Sequence, residues 1–190
     1  MKQHQIIEDI IPQGYQNFLE KLCDDKDFPW FWTPMISHNP DNIKFTDPIK
    51  NPPGWTHNVF DIERGENSLA LPHLRPVLWF LEEKTGVKVD TIKRIRIRRT
   101  TNQIDYKPHN YCPPHTDLGE IEPYWSLVYY VDNSDGDTIL WEDKTAKKEL
   151  LRSKPLKGNG LLFQGKTYHS GNCPCYFNKR TVINFDFTTK

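Results

Sequence analysis

Beyond Gly86 the chain is written almost entirely in short extended runs, and this limits the folds open to it. The runs are Ile92 to Thr100, Trp125 to Val131, Thr138 to Glu142, Glu149 to Ser153, Leu161 to Gln164 and Thr181 to Thr188. Turn signals such as Asp135-Gly136 and Gly158-Asn159-Gly160 separate them. Short strands joined in this way pair antiparallel with one another. A double-sheet jelly roll, the cupin-like double-stranded β-helix, satisfies the pattern. The expected fold is therefore mainly β, with helices packed outside one sheet.

Against that background one group of polar residues stands out. His115-Thr116-Asp117 follows Pro113-Pro114, whose restricted backbone disfavours helix. Residues i and i+2 of an extended segment point to the same side, so His115 and Asp117 can grip one metal from a single strand end. His169 closes a second run, read as strand-like from Gly160 onward, and supplies a third ligand. Two imidazoles and one carboxylate suit Fe(II) and leave open coordination positions. Arg180 begins the apolar run Arg180-Thr-Val-Ile-Asn-Phe-Asp-Phe187. Its forked, permanently charged guanidinium can pair bidentately with a carboxylate.

These blocks, in this order, resemble the Fe(II)- and 2-oxoglutarate-dependent dioxygenases, within them the prolyl-hydroxylase-like branch. The resemblance runs from Arg94 to Phe187, about half of the chain. It is carried by Pro113-Pro-His115-Thr-Asp117, by Trp125 to Thr138, by Lys157-Gly-Asn-Gly-Leu-Leu-Phe163, and by His169-Ser-Gly with Lys179-Arg180-Thr-Val-Ile-Asn-Phe. It implies that His115, Asp117 and His169 hold the metal and that Arg180 anchors the distal carboxylate of 2-oxoglutarate. The second tyrosine of a Tyr-Tyr pair reaches that carboxylate in several such proteins, and Tyr130 occupies its place. Two departures are informative. Relatives that repair alkylated nucleic acid carry a second arginine six residues after the anchor, where this chain has Asp186. Many 2-oxoglutarate enzymes place Ser or Thr two residues after the arginine, where this chain has Val182. Thr181 should face away from Arg180, which leaves Tyr130 to supply the second hydrogen bond.

The resemblance further implies Fe(II), 2-oxoglutarate and O2 as cofactor and co-substrates, with ascorbate a candidate reductant. The implied reaction is hydroxylation of an unactivated carbon with release of succinate and CO2. A carboxylate at Asp117 favours hydroxylation over halogenation, because halogenating relatives replace it with a small residue. Peptidyl proline is the first candidate substrate; a free amino acid or another small metabolite is the alternative. Two rival readings are an inactive jelly-roll binding protein and a zinc-stabilised nucleic-acid-binding module. The second rests on Cys112, Cys173 and Cys175 and on the basic run Lys93-Arg94-Ile-Arg96-Ile-Arg98-Arg99. Its weakness is the single residue within Cys173-Pro174-Cys175, where zinc knuckles have two or more. Free buried thiols are the expectation. The basic run reads as a strand with one charged face, and one or two of its arginines are candidates to line the pocket and meet an acidic substrate.

The first 86 residues read as helix and loop ahead of a jelly-roll core over 87–190, the whole forming one domain of 190 residues. An extended lead covers Ile6 to Ile11. A helix starts with Pro12 in its first position and carries Tyr15, Phe18, Leu19 and Leu22 towards Cys23. A second runs from Ser68 as cap to Lys84, with Leu74, Val77, Leu78 and Leu81 on one face and Gly86 as its left-handed stop. Between them Asp24 to Asn58, rich in Pro, Asn and aromatics, is expected to be an ordered loop whose Phe28 to Trp55 stretch walls the substrate site. Twenty-five basic and 25 acidic residues balance, so no overall field favours nucleic acid or an anionic membrane. No apolar run spans a bilayer and no secretory h-region opens the chain, which with four cysteines and ferrous chemistry points to a reducing cytoplasmic setting. His4, His38, His57, His73 and His109 read as surface or loop residues. Oligomeric state is not legible.

Overall fold

The computed structural model describes residues 3–37, 46–119 and 123–190. The chain forms β1 (His4–Ile7), α1 (Gln13–Asp24), β2 (Phe31–Thr33), β3 (Gly54–Asp61), β4 (Gly65–Glu66) and α2 (Leu71–Thr85). It continues through β5 (Val89–Thr101), β6 (Trp125–Tyr130), β7 (Thr138–Trp141), β8 (Glu149–Ser153), β9 (Gly160–Gln164), β10 (Tyr168–Gly171) and β11 (Lys179–Thr189). The larger, eight-stranded sheet has the order β1-β9-β6-β11-β5-β3-β2, with β4 beside β3; the smaller has the order β10-β7-β8. A bridge between His115 and His169 adds the His115 segment to the smaller sheet. From β5 onward the chain thus winds between the two sheets, every ladder antiparallel, as a double-stranded β-helix.

The alternation along β11 explains why two layers form on its two sides. Ile183, Phe185 and Phe187 are fully buried with Leu19 and Cys23 of α1 and Leu71, Leu74, Val77, Leu78 and Leu81 of α2. Val182, on the opposite face, packs with Val128, Tyr130, Leu140, Leu161 and Phe163 between the sheets. A period of two therefore sends the apolar set to the helices, while Arg180, Asn184 and Asp186 share the inner side with Val182.

Several boundaries shift for identifiable reasons. Pro12 caps α1 instead of opening it, its carbonyl accepting from the Tyr15 and Gln16 N–H groups at 2.8 and 3.0 Å. Phe18 is exposed and edges against His73, while Gln16 takes a buried place. The cap of α2 is Ala70, not Ser68; the Ser68 hydroxyl accepts the Ala70 N–H at 3.0 Å and meets His57 Nε2 at 2.6 Å. Gly86 does stop α2 at φ 72°, its N–H reaching the Glu82 carbonyl at 2.9 Å. The expected loop Asp24 to Asn58 contains β2 and half of β3, and residues 38–45 of it lie outside the described residues. The run Gly160 to His169 is two strands, β9 in the large sheet and β10 in the small one, joined by a turn.

Phe185 carries the contact between sheet and helices. Phe185→Ala should cost about 3–5 kcal/mol, read in urea titration as a lower midpoint with an unchanged slope.

Candidate metal centre

The centre begins with a backbone pairing. The His115 N–H donates to the His169 carbonyl at 3.0 Å, and the His169 N–H donates to the His115 carbonyl at 2.9 Å. Directly opposed residues of an antiparallel pair project to one face, and the two rings lie 4.4 Å apart. Asp117 follows at i+2, its Oδ2 3.3 Å from His169 Nε2. One donor atom from each of the three lies within 4.8 Å of the others, the one such group among the described residues. The Nδ1 atoms of His115 and His169 face the carbonyls of Pro113 and Thr167 at 2.9 and 3.4 Å. A carbonyl only accepts, so the neutral form of either ring keeps its proton on Nδ1 and presents the Nε2 lone pair. Burial, then the adjacent His169, pushes the His115 imidazole down to about 3. It is therefore neutral at physiological pH.

A buried ion-pair network holds the carboxylate. Arg94 on β5 donates Nη2 to Asp117 Oδ1 in a short contact and Nη1 to the Asp117 carbonyl at 3.0 Å. Its Nε donates to Asp186 Oδ2 at 2.9 Å, and Ser126 Oγ donates to Asp186 Oδ1 at 2.7 Å. Burial opposes the charge on Arg94, but Asp117 and Asp186 outweigh it and raise its pKa. Burial likewise works against the Asp117 carboxylate; the Arg94 guanidinium nevertheless holds it well below the usual range. Asp186 is pushed up to about 6 by burial and by Asp117. Asp117 Oδ2 is buried without a hydrogen-bond partner, which leaves an acceptor facing the imidazoles.

Arg180, only 6% exposed, starts the inner face of β11. Its Nη2 donates to Thr138 Oγ1 at 2.7 Å, while its Nε has no partner. A Cβ at Gly136 would lie 2.8 Å from Arg180 Cδ and 2.4 Å from the Asn172 carbonyl, so this turn closes over the arginine only as glycine. Tyr130 is fully buried close to Arg180, and its hydroxyl lacks a hydrogen-bond partner. Between the sheets lies a cavity of about 40 Å³ whose wall includes His115, His169, Arg98, Thr138, Arg180 and Asn184. Ile36 and Ser37 bring the loop after β2 onto it.

His115, Asp117, His169 and Arg180 thus converge as the sequence suggested, with Tyr130 next to Arg180 but off the cavity wall. Arg94, Asp186 and Thr138 were missed as supports, although the alternation of β5 and β11 carried the signal for the first two. The cysteines are free, with Cys23, Cys112 and Cys173 buried, and none joins a metal-ligating group among the described residues. His57 corrects its surface reading: it is 3% exposed and bonded to the Pro29 carbonyl and Ser68. His109 pairs with Asp47, and His38 lies outside the described residues. No helix among the described residues is long and apolar enough to cross a membrane.

No protein-family model matches the sequence, and no curated protein does. Solved structures do resemble it. A 2OG-Fe(II) oxygenase family oxidoreductase from Burkholderia pseudomallei aligns over 98% of this chain and 85% of its own at 12% identity, TM-score 0.66. A prolyl hydroxylase from Trichoplax adhaerens, in complex with a hypoxia-inducible-factor peptide, aligns over 99% and 84% at 12% identity, TM-score 0.63. The non-heme alpha-ketoglutarate-dependent carbocyclase SnoK of nogalamycin biosynthesis aligns over 97% and 79% at 8% identity, TM-score 0.62. The fold is that of the 2-oxoglutarate Fe(II) oxygenases, a jelly-roll double-stranded β-helix.

Two outcomes follow from the electrostatics. Arg94→Met strands two buried carboxylates and should cost about 3–5 kcal/mol in denaturant unfolding at neutral pH. An imidazole titrating at 6.5 when unfolded and near 3 when folded takes up its proton first in the unfolded chain. Metal-free protein should therefore lose stability through His115 as pH falls from 6.5 towards 3, by up to about 1.4 kcal/mol per unit. The parent and His115→Gln compared at pH 7 and pH 5 measure this; equal changes in the two proteins would refute it.

Proposed function

We propose that this chain is an Fe(II)- and 2-oxoglutarate-dependent dioxygenase that hydroxylates an unactivated carbon, residues 1–190 acting as one catalytic domain. The observation that carries the reading is the convergence of three donor atoms within 4.8 Å beside a buried arginine whose Nε has no partner. The donor set fits the metal: two imidazoles and one carboxylate with an unpaired oxygen are the ligands Fe(II) takes in a three-ligand face. When bound, Fe(II) with 2-oxoglutarate supplies oxygen activation, one oxygen atom going to a substrate C–H and the other to succinate as CO2 is released.

This chain's residues do the rest. His115, Asp117 and His169 would hold the metal, and Arg94 keeps the carboxylate ionised and oriented. Arg180 would grip the far carboxylate of 2-oxoglutarate through Nε and Nη, with Thr138 fixing the guanidinium. Tyr130 is assigned a supporting hydrogen bond to the same carboxylate. The two sheets exclude water from the space between them. Prolyl hydroxylases among the similar structures support a peptide substrate and make peptidyl proline the first to screen. The carbocyclase among them is a reason to screen small metabolites as well.

Anaerobic titration of the metal-free protein with Fe(II) and 2-oxoglutarate should raise a weak visible charge-transfer band. His169→Ala should abolish it, and Arg180→Met should weaken 2-oxoglutarate binding about tenfold or more. Succinate formation with and without ascorbate then tests turnover. A folded parent that shows no band overturns the assignment.

A further inference from the structure

Arg94, Arg96 and Arg98 alternate along the inner face of β5, with Ile95 and Ile97 buried on the other side. Their surroundings differ. Arg94 is compensated by two carboxylates. Arg96 donates Nε to the neutral amide oxygen of Asn58 at 2.7 Å. Arg98 lines the cavity with His115, His169 and Arg180 and makes no hydrogen bond or ion pair with a described residue. Burial pushes Arg96 down to about 10, with Arg98 and Arg94 adding repulsion; burial also lowers Arg98. A guanidinium stays protonated in proteins, so Arg98 is a cation on the cavity wall with no described anionic partner of its own.

The charge count of the inner face agrees. Arg94, Arg96, Arg98 and Arg180 are four cations against Asp117 and Asp186, leaving a surplus of two among the described residues. A ferrous ion and a doubly negative 2-oxoglutarate add no net charge, so the surplus persists in a loaded site. Arg180, beside Thr138, and Arg98, across from Val182 one inward step along the ladder, are separate donors.

We infer that Arg98, backed by Arg96, is an anion-recognition subsite, and that the primary substrate carries a carboxylate or phosphate close to the carbon that is oxidised. The guanidinium fork matches either anion bidentately. This rests on the oxygenase reading and narrows it: a substrate uncharged around its proline ring leaves the subsite unsatisfied, whereas an acidic one neutralises it. The same anion chemistry could come from the metal-side carboxylate of 2-oxoglutarate, and the test separates the two sources.

Protein loaded with Mn(II) and 2-oxoglutarate is titrated with methyl phosphate, and paramagnetic broadening of the phosphorus NMR signal reports binding near the metal. The parent should bind. Arg98→Met should weaken that binding about tenfold or more, and Arg98→Lys, which keeps charge without the fork, should fall between. Arg152→Met, changing an arginine on β8 paired to Glu149, should match the parent. Affinity for 2-oxoglutarate, by calorimetry, should stay unchanged in Arg98→Met while falling in Arg180→Met. The proposal is overturned if the parent binds no methyl phosphate, or if Arg98→Met binds it as the parent does. It is also overturned if Arg98→Met loses 2-oxoglutarate as far as Arg180→Met, which gives the subsite to the co-substrate. Should Arg98→Met not fold, Arg98→Lys carries the same comparison. Mn(II) retention, read first by electron paramagnetic resonance, isolates failure of the oxygenase reading; calorimetry with metal-free protein then still tests the subsite.

Discussion

The reciprocal backbone hydrogen bonds between His115 and His169 are the constraint on which the centre depends. The two residues are 54 positions apart in sequence, and loops, β6 to β9 and a change of sheet intervene. Two main-chain bonds are enough to place both rings on one side, because opposed residues in an antiparallel pair have no other choice of face. Asp117 then needs only the i+2 rule to join them. The convergence of the three donor residues is therefore a property of strand pairing, set by the main chain before any side chain chooses a rotamer.

Electrostatics then decides the protonation of what pairing has assembled. Two carboxylates sharing one guanidinium in a dry interior would be unfavourable as isolated charges. The arrangement persists because Arg94 meets both and Ser126 satisfies the outer one. Asp117 is thereby kept ionised while burial keeps the His115 imidazole neutral, the combination a divalent ion needs. Asp186 takes its counter-charge from the neighbouring strand, Arg94 lying opposite it across the β5–β11 ladder.

Much of this was legible in the sequence, and the part that was not has physical causes. The strands β6 to β8, the apolar face of α2 and the stop at Gly86 follow from local pattern and from the glycine's freedom at positive φ. Ser68 misled because its hydroxyl accepts the Ala70 N–H ahead of the helix, which starts only at Leu71, and also meets His57 of β3. The break between β9 and β10 was hidden because the Gly165-Lys166-Thr167 turn that joins them is short, and nothing in the pattern marks which sheet a strand joins. His115, Asp117, His169 and Arg180 were readable through spacing and order. The part of Arg94 was not, since an alternating basic strand looks the same whether its charged side meets solvent or buried acids.

The two-sidedness of β11 has a consequence for how such a chain can change. Its odd-numbered residues face the helices and its even-numbered ones the chemistry, over the stretch from Arg180 to Asp186. A single inserted or deleted residue there would exchange the faces, sending phenylalanine into the cavity between the sheets and arginine into the oily layer. A substitution alters one face at a time; a shift in length exchanges both. Drift in this part of the sequence is thus confined to spelling, and the reading frame of the strand is itself conserved by the fold.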